Sequence, residues 1–199
     1  MELTWLGDRC ALARGKEARV VFDPPDGATE PGGSLGADLV VRSGGGTNVL
    51  RPGSGATVLA QPGEYEIHGV SCHGVLVDGG TAFVCDIDDV AVAAIGRGAA
   101  ALSENALEAL GRVDVLLLPV GGGPGLTAAQ AAATVARVQP AVVVPVGYAV
   151  GEDLFGLEPL DPFAREMGLT QWAAQPRLTL TGSPGAGDDT RVVVLERRR

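Results

Sequence analysis

Ala37-Asp38-Leu39-Val40-Val41, followed one residue later by Ser43-Gly44-Gly45-Gly46-Thr47-Asn48-Val49, is the stretch that decides how this chain is read. Asp38 to Val41 is a short apolar run between the Pro- and Gly-rich segment Asp23 to Gly36 and a glycine triplet, which predicts a buried strand. Glycine lacks a Cβ, so the chain leaving that strand can turn sharply and approach its neighbours closely. Amides at Gly44, Gly45 and Gly46 can converge on an anion, but no Gly-Lys-Ser/Thr follows to make a P-loop. A plain loop is the commoner use of such a run.

Outward from this stretch, the first half reads as β-structure: Leu3 to Leu6, Arg19 to Phe22, Thr57 to Leu59, Glu64 to Val75 and Ala82 to Cys85 are apolar or alternating segments bounded by turn residues. The second half alternates strand and helix. Val90 to Ile95 predicts a strand, Ser103 caps a helix that runs to Leu110 and stops at Gly111, and Val113 to Pro119 predicts a fully buried strand. Thr127 and Gln130 have capping-box spacing at the head of a helix to Val138, and Ala141 to Pro145 predicts the next strand. Asp161 reads as the cap of a short helix with Pro162 at its first position and Gly168 beyond its end. Arg177 to Thr181 and Arg191 to Leu195 read as a terminal hairpin-like pair. A β-then-β/α order predicts two sheets packed face to face with helices outside, an α/β architecture in one domain over residues 1–199.

The series Thr4-Trp5-Leu6-Gly7, Phe22-Asp23-Pro24, Ala37 to Val41, Gln61-Pro62-Gly63-Glu64-Tyr65-Glu66, Val113 to Gly122 and Pro145-Val146-Gly147-Tyr148 resembles the metallo-β-lactamase superfamily. Within it the chain is most similar to small single-domain hydrolases of the ascorbate-6-phosphate lactonase kind. The resemblance implies a four-layer αββα sandwich. It also implies where metal ligands should stand, and they are missing. The family's His-x-His-x-Asp-His falls on Gly44, Gly46, Asn48 and Val49; its bridging aspartate falls on Arg97; its last histidine, in Pro-Met-His-Tyr, falls on Gly147 beside Tyr148; and its early histidine falls on Asp8. The loop Val77 to Thr81, where a further histidine is usual, has none.

Glycine and valine offer no side-chain donor, and an arginine beside a divalent cation is repelled. The resemblance therefore implies a retained fold, no metal cofactor and a non-catalytic protein that binds a small anionic ligand or a protein partner, its own copies included. Arg97, Asp8, Gly44, Gly45, Gly46, Asn48 and Tyr148 are the candidate ligand-binding residues. Arg97 can pair with Asp8, receive an anion or face solvent. The competing reading is a lactone or phosphoester hydrolase with relocated ligands. His68 and Cys72, four apart on the expected Glu64 to Val75 strand, share a face with Glu66 and would supply them.

Composition sets the remaining limits. At 199 residues and 46% hydrophobic the chain can bury a sizeable core, and a formal charge of −9 disfavours a nucleic-acid partner. Arg197-Arg198-Arg199 is the only basic run and reads as a frayed, solvated tail. The N-terminus has no signal-like segment and no apolar run reaches the ~18 residues a membrane helix needs, so a cytoplasmic protein is expected. Cys10, Cys72 and Cys85 match no zinc or disulfide pattern and read as buried free thiols.

Overall fold

A computed structural model describes residues 1–25, 36–44, 55–96, 102–123, 125–151, 156–185 and 189–198. Strands β1 (Glu2–Gly7), β2 (Cys10–Arg14), β3 (Arg19–Phe22), β4 (Leu39–Val41) and β5 (Thr57–Leu59) belong to the first sheet. The antiparallel β1–β2–β3 ribbon then continues in parallel through β4 and β5. Side chains alternate as the pleat requires. Leu3, Trp5, Ala11, Val20, Phe22, Leu39 and Val41 join the main core, whereas Leu12, Val21, Val40 and Val58 form a smaller apolar cluster.

The second sheet starts as a meander of β6 (Gly63–Ile67), β7 (Val70–Val77), β8 (Gly80–Ile87) and β9 (Val90–Ala94). Two-residue turns set its register. His68 and Gly69 have φ of 51° and 71°, and Asp88 and Asp89 have φ of 52° and 65°, the left-handed pair a tight hairpin demands. Helix α1 (Glu104–Leu110) then leads to β10 (Val115–Pro119), and α2 (Ala128–Val138) to β11 (Val142–Val146). The strands β9, β10 and β11 are parallel, and α1 packs against β7 and β8. The caps are those expected: Ser103 Oγ accepts from Ala106 N, and Thr127 and Gln130 form a reciprocal box.

Several expectations are corrected. Glu64 to Val75 is a hairpin broken at His68-Gly69, because the chain reverses there instead of continuing. The strand β2 was not anticipated. The helix α3 (Asp161–Glu166) begins one residue earlier than expected, with buried Leu160 at the cap position and no side-chain cap bond, so Asp161 is its first residue. The final segments make no hairpin: β12 (Leu178–Thr179) joins β1 in the first sheet, while β13 (Arg191–Val192) joins β11 in the second. Nor does the tail fray at its root, since Arg197 bridges Trp5 and Arg198 N donates to Trp5 O at 2.9 Å.

Cys72 and Cys85 are joined by a disulfide, not free. They face each other directly across β7 and β8 with Cα atoms 4.2 Å apart. Only the hairpin register reveals that proximity, which cysteine spacing alone does not carry. Cys10 remains a buried free thiol. Among the described residues no helix is long and apolar enough to cross a membrane.

Candidate functional site

The β1–β2 turn brings Asp8 and Arg9 to the end of the first sheet, Asp8 with φ 44°. The Asp8 carbonyl accepts two hydrogen bonds of 2.7 Å, one from the Trp5 indole Nε1 and one from the Gly147 amide at the end of β11. Two positions that align with family histidines, 8 and 147, are thereby in direct backbone contact across the two sheets. A Cβ built on Gly147 would lie 3.1 Å from Arg9 Cγ.

The next link is Asp23, which follows β3 with φ 43° and donates its amide to Val41 O at 2.8 Å. Its buried carboxylate is fully engaged. Oδ1 accepts from Ser43 N at 2.6 Å, and Oδ2 accepts from Ser43 Oγ and lies 3.4 Å from Arg9 Nη1. Burial pushes the Asp23 carboxyl above the usual carboxylate range, against the opposing pull of Arg9 and of the Ser43 hydrogen bonds. Ser43 O in turn accepts from Thr81 N at 3.0 Å, and a Cβ on Gly96 or Gly80 would overlap Ser43 O. Gly96 is thus glycine because the backbone after β4 passes against it.

Gly147, Asp8, Arg9, Asp23, Ser43 and Gly96 therefore form one connected arc. It joins the ends of β1, β3, β4, β9 and β11. Of the candidate residues, Asp8, Gly44 and Tyr148 are described and lie on or beside the arc. Gly45, Gly46, Asn48 and Arg97 lie outside the described residues, and so does the proposed pairing of Arg97 with Asp8. Tyr148 stacks on Trp5 with ring centroids 4.8 Å apart and planes at 25°, and burial pushes its hydroxyl up to about 12. The Cys10 thiol is likewise pushed up to about 12, first by burial and then by the charges of Asp23 and Asp8, so it is no thiolate nucleophile.

Among the described residues the donor set does not fit a catalytic zinc or manganese ion, which needs about three protein ligands with free lone pairs. Gly44 and Gly147 have no side-chain donor, Asp23 is occupied by Ser43 and Arg9, and Asp8 supplies at most one carboxylate. Among the described residues no group of three or more His, Cys, Asp or Glu is placed to hold a metal. The relocated site fails as well. Cys72 is committed to the disulfide, and His68 sits in a turn rather than on the strand that would align it with Cys72 and Glu66.

Arg9 is the residue that sequence reasoning missed. A signal for it existed, because a buried Asp23 requires a cation or hydrogen-bond donors. Arg42 also lies close enough to lower both Cys10 and Asp23.

Residues 2–147 match the family model of the beta-lactamase superfamily domain. A Thermotoga maritima protein assigned to the Zn-dependent hydrolases of the metallo-β-lactamase superfamily is 26% identical, covers 98% of both chains and superposes with a TM-score of 0.79. The metallo-β-lactamase fold protein YhfI from Bacillus subtilis is 8% identical over 98% of this chain and 97% of its own, with a TM-score of 0.62. An isothiocyanate hydrolase from Delia radicum gut bacteria is 10% identical over 100% and 98% of the chains, with a TM-score of 0.61. The latter two share the fold only. No curated protein matches the chain in sequence.

Proposed function

The chain belongs to the metallo-β-lactamase superfamily, and from that membership we propose that it is a non-catalytic member whose vacated metal region binds a small anionic ligand. The observation that carries this reading is the substitution of the ligand arc itself. Where the fold would gather imidazoles and carboxylates around a cation, this chain has glycines and an arginine already paired to the surviving aspartate.

Charge favours an anion there. Arg9 and Arg42 act on Asp23, and Arg97 aligns in sequence with the family's bridging carboxylate. A guanidinium binds phosphate or carboxylate through paired donors, the chemistry these arginines bring. The chain acts in this reading as a single domain, and any assembly with its own copies is secondary to ligand binding.

Inorganic phosphate in thermal melts tests the proposal, since a ligand that binds only the folded state raises the melting temperature with concentration. Phosphate is expected to stabilise the wild type and not the Arg97→Ala variant. Equal stabilisation of both proteins, or of neither, would remove the anion site.

A further inference from the structure

A cavity of about 910 Å³ opens beside Tyr148, between the end of β11, the start of α3 and the C-terminal segment. None of its lining comes from positions that match metal ligands. From its walls and rim we infer that it binds a small aromatic zwitterion, a free aromatic amino acid or a compound of the same charge pattern. This site does not depend on whether the metal region is lost.

Aromatic rings line the cavity. Trp5 and Tyr148, stacked at 4.8 Å, are buried beside it, and Trp172 supplies another ring that is 41% exposed. An exposed tryptophan on a loose loop would be unremarkable, but Trp172 is on a fixed strap. Residues 171–177 are all exposed, yet the strap is pinned where Gln175 N donates to Val194 O at 3.0 Å and Glu196 N donates to Gln175 O at 2.9 Å. Holding a large apolar ring at a cavity wall without covering it leaves a surface that a planar ligand would remove from water. Tyr148 adds a polar contact. It is only 8% exposed, and its hydroxyl has no hydrogen-bond partner among the described residues.

The rim carries both signs of charge. Arg197 and Arg198 are rooted by the bridge to Trp5 and by the Arg198 amide bond to Trp5 O, while Asp161 and Glu196 also line the cavity. None of these four side chains is in an ion pair among the described residues. A ligand with one charge would use one pair and leave the other repelling or idle. A zwitterion satisfies both, its carboxylate with the arginines and its ammonium with the acids.

Isothermal titration of the full chain in the presence of EDTA tests this with L-phenylalanine, hydrocinnamate, phenethylamine and L-alanine. L-Phenylalanine is expected to saturate one site at least about tenfold more tightly than each of the others. Trp172→Ala should weaken it by about tenfold or more, and Trp172→Phe should recover most of that loss, which separates ring contact from misfolding. The double variant Arg197→Ala/Arg198→Ala should reduce L-phenylalanine to the affinity of phenethylamine and leave phenethylamine within about twofold. Absence of saturable binding at millimolar L-phenylalanine would overturn the site. Hydrocinnamate binding as tightly as L-phenylalanine, or unchanged binding in Trp172→Ala, would do the same. With chelator present throughout, a stoichiometric metal found separately would contradict the vacated-site reading and leave this result untouched.

Discussion

Two buried aspartates sit at strand ends and are handled differently. Asp114 precedes β10 and accepts from Ala91 N and Ser183 Oγ, each at 2.8 Å, with Arg112 reaching it at 3.4 Å from a position whose side chain is 59% exposed. Its partners are neighbouring backbone and a loop hydroxyl, the pattern of a clamp that ties elements together. Asp23 follows β3, and its cation is internal: the Arg9 side chain is 15% exposed and packs under Gly147. The first aspartate lies where parallel strands begin. The second lies where β9 and β11 end, the side on which sheets of this kind gather their ligands. The difference teaches that Arg9 and Asp23 belong to the strand-end arc and not to generic strand clamping.

The largest expected effect breaks that contrast directly. Arg9→Ala leaves the buried Asp23 carboxylate without its cation and should cost about 3 kcal/mol of stability in urea unfolding. Arg112→Ala removes a solvated partner from an aspartate that keeps both of its neutral donors, and should cost under about 1 kcal/mol. Comparable losses from the two variants would erase the distinction.

A smaller effect concerns pH. Burial raises the Asp23 carboxyl above its ordinary value of 3.8, so the folded chain holds the proton more tightly than the unfolded chain does. The associated stability is fully present below that ordinary value and is lost as pH rises through the folded value. Asp23→Asn cannot ionise and should show a flatter stability profile over that window. A wild-type profile no steeper than that of the Asn variant would show that Arg9 and Ser43 outweigh burial.

Much of the fold was legible because its signals are local. The capping box at Thr127 and Gln130 and the glycine stop at Gly111 depend on residues within one turn. The convergence of 8, 44 and 147 was legible only through the order of strand-end motifs that the family shares, since nothing local says that Asp8 O meets Gly147 N. The misses were non-local as well. The pairing of Cys72 with Cys85 needed the β7–β8 register, and the separation of β12 from β13 needed knowledge of which sheet edge was open. Arg9 was hidden by its surroundings in sequence, where it reads as one more charge in a turn. Its role appears only when Asp23, Ser43 and Gly147 are brought around it.

The central claim is that the residues at the ligand positions no longer hold a metal. Elemental analysis of the purified chain after incubation with zinc or manganese, followed by removal of unbound ion, tests it most directly. The account predicts metal far below one equivalent per chain and no change in lactone or phosphoester hydrolysis on adding EDTA. One equivalent or more of metal, removed by EDTA together with a measurable hydrolase activity, would contradict it.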